Sequence, residues 1–79
     1  MQDETGIIAI VAANVRLGRK AAGLSQEELA FEAEVDRTYI SQVERRKRNV
    51  TIVVLTRIAR ALKTTPDRLL VAPRKSRGS

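Results

Sequence analysis

Residues 25–45 read SQEELAFEAEVDRTYISQVER, and this stretch decides the fold. It opens with Ser25, whose hydroxyl can cap a helix, and with Glu28, whose side chain can reach back to the serine N–H. Such a pair is a capping box, which indicates a helix start. Asp36 is a second capping residue, because its short carboxylate accepts hydrogen bonds from the free N–H groups of a first turn. The stretch therefore predicts two short helices joined by a turn.

The two predicted helices, over residues 26–33 and 37–44, each have one apolar side. Residues three or four apart lie on the same face of a helix, so both apolar sides can pack against one core. Two short helices of this kind, joined by a turn of about three to four residues, form the helix-turn-helix geometry. The apolar residues of the pair are Leu29, Ala30, Ala33, Ile40 and Val43.

A longer helix is predicted upstream of this stretch. Its apolar pattern begins at Ile7. The helical repeat places Val11, Val15 and Ala22 on one stripe. Gly23 then supplies the left-handed backbone position that commonly ends a helix.

Two further helices are predicted downstream. Thr51 can cap a fourth helix, and TPD at residues 65–67 combines a cap, a first-turn proline and an acidic first turn. Because no strand pattern occurs, the five helices predict an all-α domain over residues 7–72. We expect a flexible N-terminal arm (1–6) and a basic flexible tail (73–79) on either side of it. The inward-facing residues expected in the fourth helix are Ile52, Leu55, Ile58, Ala59 and Leu62.

The charge of the chain is unevenly distributed. Its 79 residues are enough for one compact domain, with a net charge of +6. Residues 1–34 carry three Lys or Arg and six Asp or Glu, whereas residues 35–79 carry twelve and three. This basic second half predicts a polyanionic partner such as nucleic acid, the alternative being a basic surface that serves only solubility.

The residue types that are missing limit the chemistry. The sequence contains no Cys and no His, which disfavours thiol catalysis, disulfides, structural zinc and the usual general base near neutral pH. We therefore expect no enzyme activity, no metal and no cofactor. The apolar run over residues 7–13 is far shorter than the ~20 residues of a membrane helix and follows no basic leader, so the expected compartment is the cytoplasm.

The second helix of the pair carries side chains that can read DNA bases. Arg37 can donate two hydrogen bonds to guanine, Thr38 can contact a thymine methyl, and Gln42 can pair with adenine. Their spacing puts them on one face, and the start of the second helix in this geometry enters the major groove. The alternative is an ordinary solvated helix face.

LSQEELA at residues 24–30 and RTYISQVER at 37–45 resemble the Cro and lambdoid-repressor (XRE-type) helix-turn-helix family, over about residues 10–71. DRTYIS at 36–41, followed by RNVT at 48–51, is most similar to the controller proteins of restriction-modification systems. The resemblance implies a five-helix lambda-repressor-like domain. It also implies a stand-alone homodimer that regulates its own gene and an endonuclease gene.

The resemblance assigns roles to individual residues. Arg37, Thr38 and Gln42 match the base-reading positions. Tyr39 can equally be half-buried support for the helix, and the cluster from Arg45 to Lys47 can be a solvated charge run. The residues that match or suit contacts to DNA phosphates are Gln26, Tyr39, Ser41, Arg45, Arg46, Arg48 and Asn49.

Two further groups of residues are assigned outside the DNA contacts. The resemblance pairs Arg19 with Glu44 in a structural salt bridge that holds the second helix in place. Leu69, Leu70 and Val71 are the expected apolar part of a dimer interface, although they can also close the core of one protomer.

The sequence departs from the family pattern at three positions. Gly18 lies within the first helix where the family has a large aliphatic residue, and Leu17 or Phe31 is expected to fill the space. Glu34 occupies the turn, and Arg46 ends the second helix, at positions where Gly tolerates a left-handed backbone at lower cost. The exact geometry of these turns is therefore left open.

Together these features predict a transcription regulator that binds a pseudo-palindromic double-stranded DNA operator as a homodimer. The half-sites would lie ~34 Å apart. The chain is too short for a sensor domain, so no small-molecule ligand and no membrane partner are expected. The alternative is an antitoxin-type DNA-binding protein that also binds a partner protein.

Overall fold

The computed structural model describes residues 5–73, and within this range the chain forms helices and no strand. The predicted all-α fold with a helix-turn-helix is confirmed. Most of the predicted arm (1–6) and tail (73–79) lies outside the described residues. The helices are α1 Ile7–Ala21, α2 Gln26–Ala33, α3 Arg37–Glu44, α4 Ile52–Ala61 and α5 Pro66–Leu69.

The core is aliphatic and lies where the first four helices meet. Helix α2 packs against α3 and α4, α1 packs against α3 and α5, and α5 packs against α4. Each fully buried aliphatic side chain stabilises the fold by about 1.5–3 kcal/mol, so this cluster fixes how α2 and α3 are held. The largest fully buried side chains are Val15, Leu29, Ile40, Val43 and Ile58.

The predicted helix caps are present. The Ser25 hydroxyl accepts a hydrogen bond from the Glu28 N–H at 3.0 Å, and the Glu28 carboxylate accepts one from the Ser25 N–H at 2.8 Å. Asp36 accepts a bond from the Thr38 N–H at 3.0 Å, which starts α3. Thr51 caps α4 in the same way. These caps satisfy N–H groups that a helix start otherwise leaves free.

Helices α1 to α4 end in the same way, with one residue in the left-handed backbone region. Its φ is 73° at Gly23, 59° at Glu34, 62° at Arg46 and 60° at Lys63. In each case the following N–H donates to a carbonyl of the last helical turn, as in a Schellman motif. The geometry left open at Glu34 and Arg46 is thus left-handed, and only α1 ends on a glycine.

The space beside Gly18 is filled differently from the prediction. Leu17 is 56% exposed and Phe31 is 80% exposed, so neither fills it. Leu62, at the end of α4, lies there instead: a Cβ added to Gly18 would be 3.0 Å from its Cδ1 atom. Gly18 therefore allows the end of α4 to approach α1 closely.

Two residues expected to face the core are exposed. Ala22 lies just beyond the last turn of α1, so the stripe of that helix does not extend to it. Ile52 is the first residue of α4 and is 80% exposed, whereas the buried residues of that helix are Leu55, Ile58 and Ala59. Within residues 5–73, no helix is both long enough and apolar enough to cross a membrane.

Candidate nucleic-acid interface

Helix α3 has a buried side and a solvent-facing side. Ile40 and Val43 are buried in the core. Arg37 and Thr38, at the start of the helix, are exposed, and together with Ser41 they line a shallow open depression. These short polar and cationic groups are the kind that can enter a DNA groove.

An ion pair fixes the other end of α3 to α1. The Arg19 guanidinium donates from Nε to Oε2 of Glu44 at 2.7 Å and from Nη2 to Oε1 at 3.0 Å. Its Nη1 atom also donates to the Leu24 carbonyl at 2.9 Å, which ties in the loop before α2. The contact expected between Arg19 and Glu44 is therefore present, in the bidentate form that arginine favours.

Gln26 belongs to the same network. Its side-chain Nε2 donates to Oε1 of Glu44 at 3.1 Å, so this carboxylate joins the first residue of α2 to the last residue of α3. The amide of Gln26 has a second N–H, so the predicted phosphate contact stays open to test. Sequence reasoning missed the bond to Glu44, because no local pattern relates residues on different helices.

The network sets the charge state of its members. Burial favours the neutral form of Glu44, but hydrogen bonds from Arg19 and Gln26, with the charge of Arg19, outweigh it and lower the pKa of Glu44. The hydrogen bond to Glu44 raises the pKa of Arg19. Both groups are thus charged at neutral pH and hold α3 rigidly against α1.

A second contact connects α3 with the loop that follows it. The Nε of Arg48 donates to Oε1 of Gln42 at 2.9 Å, and the centre of its guanidinium lies 4.4 Å from the centroid of the Tyr39 ring. No local pattern predicts this cluster, since the path of residues 45–50 decides whether the Arg48 side chain reaches α3. The loop places a cation directly beside the predicted base-reading face.

Tyr39 supports the helix. It is half-buried against the core, and its hydroxyl accepts a hydrogen bond from the Thr51 N–H at 3.3 Å, which joins α3 to the start of α4. The supporting role considered for Tyr39 is thus seen in the structure, and a phosphate contact stays a prediction. Arg45, Arg46 and Asn49 are exposed in the turn after α3.

The expected dimer interface needs one correction. Leu69 is only 4% exposed and belongs to the core. Asn14 of α1 donates to the Leu69 carbonyl at 2.9 Å and so connects α1 to the end of α5. Leu70 and Val71 are 43% and 65% exposed. Ile52 and Val53, at the start of α4, are also exposed, and the prediction did not include them.

The described residues contain no group of three or more His, Cys, Asp or Glu side chains that could hold a metal ion. A family model described as helix-turn-helix, HTH_3, matches residues 15–69, which contain α2 and α3 entirely. The chain belongs to this helix-turn-helix family.

Known relatives of the family agree with this fold. The chain is 40% identical over 75 residues to a hypothetical transcription factor of Neisseria meningitidis, covering 95% of this chain and 71% of the relative. A crystal structure of that factor superposes with a TM-score of 0.84, at 41% identity, covering 92% of this chain and 84% of the other. The control protein C.SmaI of Serratia marcescens is 49% identical over 61 residues, covering 77% of this chain and 73% of the relative.

One similar structure contains DNA. The restriction-modification controller protein C.Esp1396I was crystallised as a tetramer with its natural 35-base-pair operator. This chain matches it with a TM-score of 0.73 at 35% identity, covering 80% of this chain and 83% of the other. The matched part is most of each chain, so the two proteins share the fold and not only the helix-turn-helix.

Proposed function

We propose that this protein is a homodimeric transcription regulator of the restriction-modification controller type, which binds a pseudo-palindromic DNA operator. The observation that carries the proposal is the face of α3 with Arg37 and Thr38, which is exposed while the Arg19–Glu44 pair fixes the far end of the helix. A reading helix has to be both accessible and rigid, because loosely held side chains lose orientation when they pair with bases. Such a regulator acts in the cytoplasm.

The relatives support the same function. The names of two of them describe a control protein and a controller protein, and the second was crystallised on its operator. An autoregulated controller needs only DNA binding and self-association. A domain of this size can provide both functions.

The contacts are divided by chemistry. Arg37 and Thr38 read base edges at the start of α3, together with Gln42 one turn further on. Positively charged, amide and hydroxyl groups around them contact phosphates. Such contacts set the position of the protein along the duplex without reading its sequence. The residues proposed for the phosphates are Gln26, Tyr39, Ser41, Arg45, Arg46, Arg48 and Asn49.

Two protomers associate through the start of α4 and the end of α5. Val50 and Leu55 line one small cavity together with Leu70, so these two parts of the chain are neighbours. The exposed apolar side chains there are Ile52, Val53, Leu70 and Val71. If a two-fold axis passed through this surface, each of these side chains would occur twice in the interface, once from each protomer.

The test is competition between the upstream region of the protein's own gene and a scrambled duplex of equal composition. Binding is measured in ~0.1–0.2 M salt, where attraction to phosphates alone is weakened. We expect tighter binding to the natural duplex by at least about a thousandfold, as for specific over nonspecific sites. Equal affinities would rule out operator recognition. A methyltransferase and an endonuclease gene beside this one would support the controller assignment.

A further inference from the structure

The side chain of Gln42 is held in one orientation by Arg48. A guanidinium has donors and no acceptor, so the amide oxygen of Gln42 is the atom that faces it, at 2.9 Å from Nε. The guanidinium is in turn held over the Tyr39 ring at 4.4 Å. The two contacts fix the direction in which the Gln42 amide points.

This orientation conflicts with reading adenine. A glutamine pairs with adenine by accepting from its N6 amine and donating to N7, so it needs its oxygen and its nitrogen together. In this structure the oxygen is held toward Arg48 by a bond from a charged donor, which is stronger than a neutral one and occupies one of its two lone pairs. The Gln42 Nε2 atom has no partner within residues 5–73, so donor hydrogens are what it can offer to DNA.

We propose that Arg48 is a positioning residue which, through Gln42, makes α3 select guanine where the sequence pattern predicts adenine. Guanine presents two acceptors, N7 and O6, in the major groove, whereas adenine presents one acceptor and the N6 donor. A glutamine whose oxygen is held toward Arg48, and whose nitrogen has donors to offer, therefore favours guanine. This inference rests on the proposed function, since it concerns the base read by the same helix. For Arg48 it replaces the phosphate contact proposed above with a positioning role.

The position of Arg48 is maintained by the fold around it. Tyr39 lies half-buried under the guanidinium, and its hydroxyl accepts from the Thr51 N–H. The aromatic platform is thereby tied to the start of α4. The chain turns between α3 and Arg48: Arg46 adopts a left-handed φ of 62°, and the Lys47 N–H donates to the Gln42 carbonyl at 2.8 Å.

The test is selection of bound duplexes from a library of randomised sequence, using the wild type, Gln42→Ala, Arg48→Met and Arg48→Lys. The base pair read by Gln42 is the one whose preference disappears in Gln42→Ala. We expect guanine there for the wild type and a shift of about tenfold or more toward adenine in both Arg48 variants, with other positions unchanged. Lysine keeps the charge but lacks the guanidinium Nε–H. Arg60→Met is the matched control, since Arg60 is an exposed arginine of α4 outside the proposed DNA contacts, and it should leave every preference intact.

A phosphate contact would give a different result. If the Arg48 variants weaken binding to all duplexes equally, lower the salt dependence by about one charge and keep the base preferences, the inference is wrong. Adenine selected by the wild type at the Gln42 position would also overturn it. A wild type that enriches no sequence would overturn the proposed function itself, which separates the two failures.

Discussion

At the scale of single residues, Glu44 matters most for how the helices are held together. Its side chain is 2% exposed, and removing a carboxylate from water costs several kcal/mol unless donors surround it. Arg19 and Gln26 supply those donors from two different helices. Because one carboxylate joins α1, α2 and α3, the position of the reading helix depends on its charge.

We predict that Glu44→Gln destabilises the protein by about 2 kcal/mol at pH 7, because Arg19 would lose its charged partner. The pKa of Glu44 is lowered in the folded state. The stability from its charge is therefore fully present above the unfolded-state pKa of about 4.3 and is lost as the pH falls through the folded-state value. Thermal melts at several pH values should bring the variant and the wild type together in acid. Glu32→Gln, at an exposed glutamate of α2, is the control. A difference in melting temperature that persists at pH 2 would contradict this.

Base and phosphate contacts can also be separated by single substitutions. Arg37→Ala should weaken operator binding by roughly 1–3 kcal/mol and relax the preference at one base pair. Gln26→Ala should weaken binding to all duplexes alike, because a phosphate contact carries no sequence information. Titration of each variant against the operator and its single-base variants measures both effects. If Gln26→Ala instead lost a base preference, Gln26 would be a base-reading residue.

At the scale of helices and turns, the helix ends place non-glycine residues in an unfavourable backbone conformation. Three of the four left-handed end positions carry Glu34, Arg46 or Lys63, where a Cβ atom crowds the backbone. Glycine would adopt this conformation at lower cost. Glu34 lies in the turn between α2 and α3, and Arg46 lies just after α3, so their substitution would also disturb the proposed DNA contacts.

Lys63 and Gly23, which lie outside α3, allow the cost of a side chain in the left-handed backbone region to be tested in both directions. Lys63→Gly should stabilise the protein by about 1 kcal/mol, and Gly23→Ala should destabilise it by about as much. A Cβ at Gly23 would meet no atom within 4 Å, so its cost would come from backbone conformation alone. For a domain of this size, 1 kcal/mol corresponds to about 4–8 °C in Tm. Shifts of the same sign in both variants would show that packing, not backbone conformation, decides these positions.

The helices themselves could be predicted from sequence, because caps and apolar spacing act within a few residues. Ser25, Asp36 and Thr51 started helices where expected. Contacts between helices could not be derived this way: the Arg19–Glu44 pair came from family resemblance, and the Arg48–Gln42 contact depends on the path of a loop. Ile52 was misassigned because periodicity does not decide how the first residue of a helix is covered.

At the scale of the whole molecule, the charge is unevenly distributed and some apolar side chains are exposed. The basic residues concentrate in the second half of the chain, whereas α2 carries Glu27, Glu28 and Glu32. Polar and basic groups surround the exposed face of α3. Exposed apolar side chains lie at the start of α4 and the end of α5, and Leu70 among them lines a small cavity together with Arg48 and Asn49. A molecule of this kind can bind DNA and a second copy of itself at the same time.

Dimerisation through α4 and α5 can be tested against a surface residue of equal exposure. Ile52 and Phe31 are both 80% exposed, but Phe31 lies on α2. We predict that Ile52→Ser raises the dimer dissociation constant by at least about tenfold, because burial of one isoleucine contributes about 1.5–3 kcal/mol and a two-fold interface contains it twice. Phe31→Ser should leave the constant unchanged. Sedimentation equilibrium measures both, and operator affinity should fall in parallel for Ile52→Ser because a single head makes too few contacts. If Phe31→Ser dissociates the dimer and Ile52→Ser does not, the interface lies on α2.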